Sequence, residues 1–179
     1  MSRGMSPNYT WEGDSDAWLV TEVLQYLDIH LPSGYYAVAQ PYVVIDAEDG
    51  SYRVYRHVRS TDLEFITAGM KPLVAHPDLA VLQSTLHQGK PGPDRIVCVV
   101  ELDGSIHDTR PGRKQTIKRN AKYEAGKIPY VVINQADYRM TGESIHEGAW
   151  KGVLKHLPKH VREPLKLRHA DPLAPAGPH

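Results

Sequence analysis

Residues 97–108, VCVVELDGSIHD, carry an apolar run straight into two acids, Glu101 and Asp103, with His107 close behind. A buried strand seldom ends in two carboxylates one residue apart. Upstream, Asp78 follows Pro77 and opens the apolar run LAVLQ. A hairpin of these two runs, centred near Gly89 and Lys90, places Asp78 opposite Glu101 and His76 opposite Asp103. Directly opposed Cβ atoms lie about 5 Å apart. Glu101 and Asp103 are two residues apart and so share a face. Carboxylates brought this close raise one another's pKa unless a cation sits between them. A hard divalent ion held by oxygen ligands satisfies that demand, and Mg²⁺ or Mn²⁺ suits such a donor set better than zinc. The competing reading leaves the acids facing solvent at a strand end. Asp94 does not belong to the set. At about 3.3 Å per residue it would sit more than about 20 Å from Glu101 along one strand.

The elements that must position these residues follow from spacing and turn chemistry. Ser15 caps a helix over about 16–30, with Trp18, Leu19, Val23, Leu24 and Leu27 at helical spacing. YYAVAQPYVVID reads as a strand broken or at an edge at Pro41, AEDGS as a turn, and YRVYRHV as a second strand. LEFIT is apolar without a clear period. PLVAHPDLAVLQ and RIVCVVELDG are the hairpin strands, joined by the loop STLHQGKPGPD. A basic helix follows over about 112–125, with Ile117, Ala121 and Ala125 as a narrow apolar stripe and Gly126 as its stop. IPYVVIN is a short buried strand, and a last amphipathic helix covers about 142–157. From Pro158 onward, prolines and basic residues predict a flexible tail, as the polar residues 1–14 predict a flexible start. The expected architecture is α/β: one domain over 15–157, a mixed sheet flanked by helices. Its order is helix, three to four strands, helix, strand, helix, with a right-handed crossover between parallel strands over 96–134.

The chain of 179 residues has zero formal net charge, but the charge is unevenly placed. Residues 1–105 hold 14 acids and 7 Lys or Arg, whereas residues 106–169 hold 6 acids and 14 Lys or Arg. That asymmetry predicts an anionic partner for the second half, or else a solvated basic helix face. The single cysteine, Cys98, excludes an intrachain disulfide and reads as a core residue. Neither a signal peptide nor a membrane-spanning run is evident, so a cytoplasmic protein is expected.

These residues resemble the PD-(D/E)XK nuclease superfamily over roughly residues 16–135. PDLAVL, VVELDG and KRNAKYEAGKIPYVVI are similar to the restriction-endonuclease-like family abundant in cyanobacteria. ELDGSIHD resembles the E-x-D-G-S-x-H stretch of very-short-patch-repair-like nucleases. The resemblance implies a restriction-endonuclease-like core and metal-dependent hydrolysis of DNA, or of RNA by the same chemistry. It makes Asp78 and Glu101 the metal ligands, with the carbonyl of Leu102 adding an oxygen. Asp103 stands where the simple motif has lysine. The resemblance then assigns the lysine to the following helix, with Lys118 first, Lys114 and Lys122 behind it, and Asp103 as a further ligand or as the group that holds that lysine. His107 becomes a candidate proton donor, and Glu22 an acid that can reach the site from the first helix. Arg110, Arg113, Arg119 and Lys122 become phosphate contacts, which supply salt-sensitive affinity without sequence reading. Double-strand cutting by a single-site domain commonly uses two copies, so a homodimer is expected. The Asp at the lysine position also admits an inactive nuclease-fold subunit that binds DNA or serves assembly. A metal enzyme for a small substrate is disfavoured, because no glycine-rich phosphate loop is present.

Overall fold

The computed structural model describes residues 17–104, 110–135, 137–138 and 144–170. Helix α1 (Ala17–His30) is followed by strands β1 (Tyr35–Ala39), β2 (Tyr42–Asp46) and β3 (Tyr52–Tyr55). A short helix α2 (Ser60–Ile66) leads to β4 (Pro72–Ala75) and β5 (Leu79–Gln83). A small hairpin, β6 (Leu86–His87) and β7 (Lys90–Pro91), precedes the long strand β8 (Arg95–Asp103). Helix α3 (Arg110–Ala125), strand β9 (Tyr130–Asn134), helix α4 (Ile145–His156) and helix α5 (Lys159–Ala170) follow. The fold is mixed α/β. Among the described residues no helix is long and apolar enough to cross a membrane.

The strands form two larger sheets rather than one. The main sheet has the order β1-β5-β8-β9, antiparallel except for the parallel β8–β9 pair, and is therefore mixed as expected. A second sheet, β3-β2-β4, is wholly antiparallel. Two segments, one expected to break or lie at an edge at Pro41 and the other expected as one strand, are divided between the sheets. YYAVAQPYVVID breaks at Gln40, whose φ is +45°, with β1 in one sheet and β2 in the other. PLVAHPDLAVLQ breaks at His76–Pro77–Asp78 in the same way, giving β4 and β5. Each break coincides with a proline, whose missing N–H cannot join a ladder.

The β5–β8 register is the one that carries the acids. Leu79 pairs with Val100, Ala80 with Val99 and Val81 with Cys98, and then a bulge at Val97 shifts the count so that Leu82 pairs with Ile96. The tip of the hairpin lies between β6 and β7, where Gln88 and Gly89 both have positive φ, 52° and 75°. That is the conformation of a two-residue type I′ turn, whose twist suits flanking strands.

Apolar layers cover both faces of the main sheet. On one side Leu19, Val23 and Leu27 of α1 and Ala149, Trp150 and Val153 of α4 meet Leu79, Val81, Cys98 and Val100. On the other, Val43 and Ile45 of β2 and Tyr123 of α3 meet Ala80, Leu82 and Val99. The flexible tail expected from Pro158 is instead helical over Lys159–Ala170, and Val161 and Leu165 reach the first apolar layer. Pro158 suits the start of that helix, since the carbonyl of Pro158 accepts from the N–H groups of Val161 and Arg162. LEFIT forms most of α2, which buries Leu63 and leaves Phe65 84% exposed.

Candidate active site

Asp78 stands one residue before β5, at the point where the ladder would run out. The N–H of Gln40 donates to its carbonyl at 2.9 Å, extending the β1–β5 pairing by one step. Its carboxylate Oδ2 accepts from the N–H of Leu102 at 2.8 Å, so a side chain takes the place of a strand partner on β8. Continuing the register past Leu79–Val100 sets Asp78 opposite Glu101. The two carboxyl groups lie within hydrogen-bonding reach of each other.

Glu101 and Asp103 follow Val99 on the α3 face of β8, because alternate residues of a strand share a face. Both are buried, at 4% and 5% exposure. Their partners come from α3. Arg119 grips Asp103 with both terminal nitrogens, at 2.7 and 3.2 Å, and its Nε lies 3.5 Å from Glu101 Oε1. The Tyr123 hydroxyl donates to Glu101 Oε1. Tyr123 is itself fully buried and closes the apolar layer beneath the acids.

This arrangement fixes the electrostatics. Burial pushes Glu101 up to about 8, aided by the charges of Asp78 and Asp103 and opposed by Arg119 and the Tyr123 hydroxyl. Burial likewise raises Asp78, against the Leu102 N–H and Arg119. For Arg119, burial works against the charge, but the Asp103 hydrogen bonds and the fields of Glu101 and Asp103 outweigh it and keep the guanidinium charged.

The inner face of α3 differs from the one expected. Gly112, Thr116, Arg119 and Tyr123, spaced by four, three and four, lie on one side of a helix, and Gly112 and Tyr123 are its buried positions. Ile117, Ala121 and Ala125 lie on the opposite side, and Ile117 is 69% exposed. Lys114 and Lys118, placed beside that stripe, are exposed with it. The cation that reaches the acids is Arg119, expected instead to bind phosphate. The helix ends at Ala125, as Gly126 suggests, but the left-handed cap residue is Lys127, with a φ of 51°, and the Ile128 N–H returns to the Tyr123 carbonyl.

Other expected residues lie elsewhere. Lys122 donates to the Val74 carbonyl at 2.7 Å and so ties α3 to β4. Arg110 and Arg113 are exposed at the start of α3. His76 is exposed, bonds the Gln40 carbonyl at 2.9 Å and stacks on Tyr42 at 4.2 Å. Glu22 faces His146 of α4 at 3.2 Å, in a contact between two helices of the other sheet face. Asp94 pairs with Arg56 at 2.6 Å, as befits an acid outside the cluster. His107 lies outside the described residues. Sequence reasoning missed the roles of Tyr123 and Arg119. The signal was the four-three-four spacing of small and polar residues on α3, overlooked in favour of an apolar stripe.

Among the described residues no group of three or more His, Cys, Asp or Glu side chains is arranged to hold a metal ion. Asp78 and Glu101 offer a pair of carboxylates. The Leu102 N–H points toward Asp78, and the N–H and C=O of a strand residue face the same neighbour, so its carbonyl points that way too. This all-oxygen set suits a hard divalent cation. The Arg119 guanidinium already supplies positive charge beside it. No protein-family model, curated protein or solved structure matches the chain.

Proposed function

We propose that the chain is a metal-dependent endonuclease with a restriction-endonuclease-like core, hydrolysing phosphodiester bonds of DNA. The observation that carries this reading is the register that sets Asp78 opposite Glu101 at the end of β8, beneath a basic helix. Asp78, Glu101 and the Leu102 carbonyl would hold Mg²⁺ or Mn²⁺. Such an ion polarises a phosphate oxygen and lowers the pKa of a bound water.

The chain's own groups do the rest. Arg119 keeps a fixed positive charge beside Glu101, where a nuclease of this type uses a lysine, and Asp103 holds that guanidinium in place. The exposed Arg110, Arg113, Lys114 and Lys118 grip the phosphate backbone, which gives affinity without sequence reading. His107 is the candidate donor of a proton to the leaving oxygen, and a homodimer would present two such sites to a duplex.

A second reading rests on a specific observation. The two-pronged grip of Arg119 on Asp103 leaves the acids already compensated, as in a structural ion network. An inactive nuclease-fold subunit that binds DNA would look the same. Incubation of the protein with plasmid, linear and single-stranded DNA in Mg²⁺ or Mn²⁺, beside Asp78→Ala and Glu101→Ala, separates the two. The proposed activity falls about a thousandfold in either variant, the several kcal/mol that a catalytic cation supplies. Cleavage no greater than that of the variants, on every substrate, sinks it. Salt-dependent DNA binding retained without cleavage establishes the second reading.

A further inference from the structure

Arg119 does more than replace a lysine. Three carboxyl groups converge at the end of β8, and the described cation among them is tethered to the fold. Its anchor is Asp103, bound through two nitrogens, yet its Nε also leans on Glu101, a ligand in the reading above. The side chain is held by neighbours on its own helix, since Nε also donates to Asn120 Oδ1 at 3.3 Å. A divalent ion arriving at Asp78 and Glu101 therefore meets a fixed positive charge that cannot diffuse away. Partial burial of the guanidinium, 18% exposed, weakens the screening that would hide this repulsion at a surface.

We propose that Arg119 is a resident counter-cation that competes with a divalent ion for the Asp78–Glu101 pair, with Asp103 setting how strongly it competes. The inference rests on the metal-binding part of the nuclease reading. It has a signature that a purely structural role lacks. Removing the guanidinium charge tightens metal binding. Removing the Asp103 charge turns the full guanidinium charge onto Glu101 and weakens it. A residue needed only for folding would move both variants the same way.

Calorimetric titration of the full chain with Mn²⁺ tests this, comparing wild type with Arg119→Gln, Arg119→Lys and Asp103→Asn. Gln is chosen because it removes the charge but keeps an amide near the position of Nε, beside Glu101, and Arg119→Lys keeps a charge should the shorter amide disturb the fold. Arg119→Gln should bind Mn²⁺ on the order of tenfold more tightly, Asp103→Asn more weakly, and Arg119→Lys close to wild type, since a tenfold change needs only about 1.4 kcal/mol of the Coulomb interaction removed. Thermal melting in EDTA confirms that each variant is folded before titration. Equal affinity in wild type and Arg119→Gln overturns the counter-cation and leaves the nuclease reading standing. Tighter binding by Arg119→Gln with no DNA cleavage by any form leaves the counter-cation standing and removes the nuclease reading. No Mn²⁺ binding by wild type or Arg119→Gln overturns the counter-cation and the ligand assignment together.

Discussion

The two faces of the main sheet are built on different physics, although β8 serves both. Toward α1 and α4 the core of the interface is apolar, with Val23, Leu27, Leu79, Val81, Cys98, Val100 and Val153 each nearly free of solvent. Toward α3 the apolar layer stops at Val99 and Tyr123, and the same face continues as Glu101, Asp103 and Arg119. The first face is held by burial, which is non-directional and adds up side chain by side chain. The second is held by partners that must all be present, because a buried charge without its counterpart costs far more than a lost apolar contact. Helix α3 has few apolar residues turned inward, so its seat on the sheet depends on this polar network and on the Lys122–Val74 bond.

Removing the charged partner from the polar face should exceed a single truncation on the apolar one. Arg119→Met removes the two-nitrogen ion pair to the buried Asp103 and should cost about 4 kcal/mol by denaturant unfolding in EDTA. Leu27→Ala, opening a cavity under α1, should cost about 3 kcal/mol and respond little to pH. Between them in kind is a pH slope. Because Glu101 is raised from 4.5 to about 8 in the fold, the native state binds the extra proton in that interval. Metal-free stability should therefore fall as pH rises from about 4.5 to about 8 and level off above, with a total of roughly a few kcal/mol. Glu101→Gln should flatten that slope, and a slope unchanged in this variant would assign it to another group. Gly152→Ala probes the apolar face by overpacking: an added Cβ would sit 2.4 Å from Val131 Cγ1 on β9, and the cost should be about 2 kcal/mol. Tyr123→Phe should cost the least, about 1 kcal/mol, and should move Glu101 further up, since the lost hydroxyl helps hold its charge.

The strands of the hairpin were legible in the sequence from their apolar runs, but the turn was not: it lies at Gln88–Gly89 rather than Gly89–Lys90, and Asp78 still comes opposite Glu101 because the ladder shifts register between the tip and Val81, at the Val97 bulge among other places. The bulge at Val97 was not, for an extra residue in a run of V, C and V leaves no compositional trace. The division of YYAVAQPYVVID and PLVAHPDLAVLQ between two sheets was half visible: the prolines mark the breaks, but not that the chain changes sheet there. On α3, three apolar residues at helical spacing pointed to the wrong side. Hydrophobic periodicity finds the inner face only when that face is hydrophobic. Here it is lined by Gly112, Thr116, Arg119 and Tyr123, two of which serve the acids. The helix beyond Pro158 was hidden for a related reason, since proline at a helix start looks from composition alone like proline in a tail.

The Val97 bulge sets the parity of everything beyond it. Ile96 faces the α3 side, Val97 and Cys98 both face the α1 side, and from Val99 alternation resumes with its phase reversed. Length rather than chemistry thus decides which layer receives Glu101 and Asp103. Deleting Val97 alters almost nothing in hydrophobicity or charge, yet it forces a choice. Either the acids keep their face and Ile96 turns away from the β2 layer, or Ile96 stays and both carboxylates rotate under α1 and α4, where the sheet has only apolar neighbours to offer. The strand behaves like a sentence with one extra syllable that brings its last words onto the beat, and in such a protein insertions and deletions reach the site more directly than substitutions do.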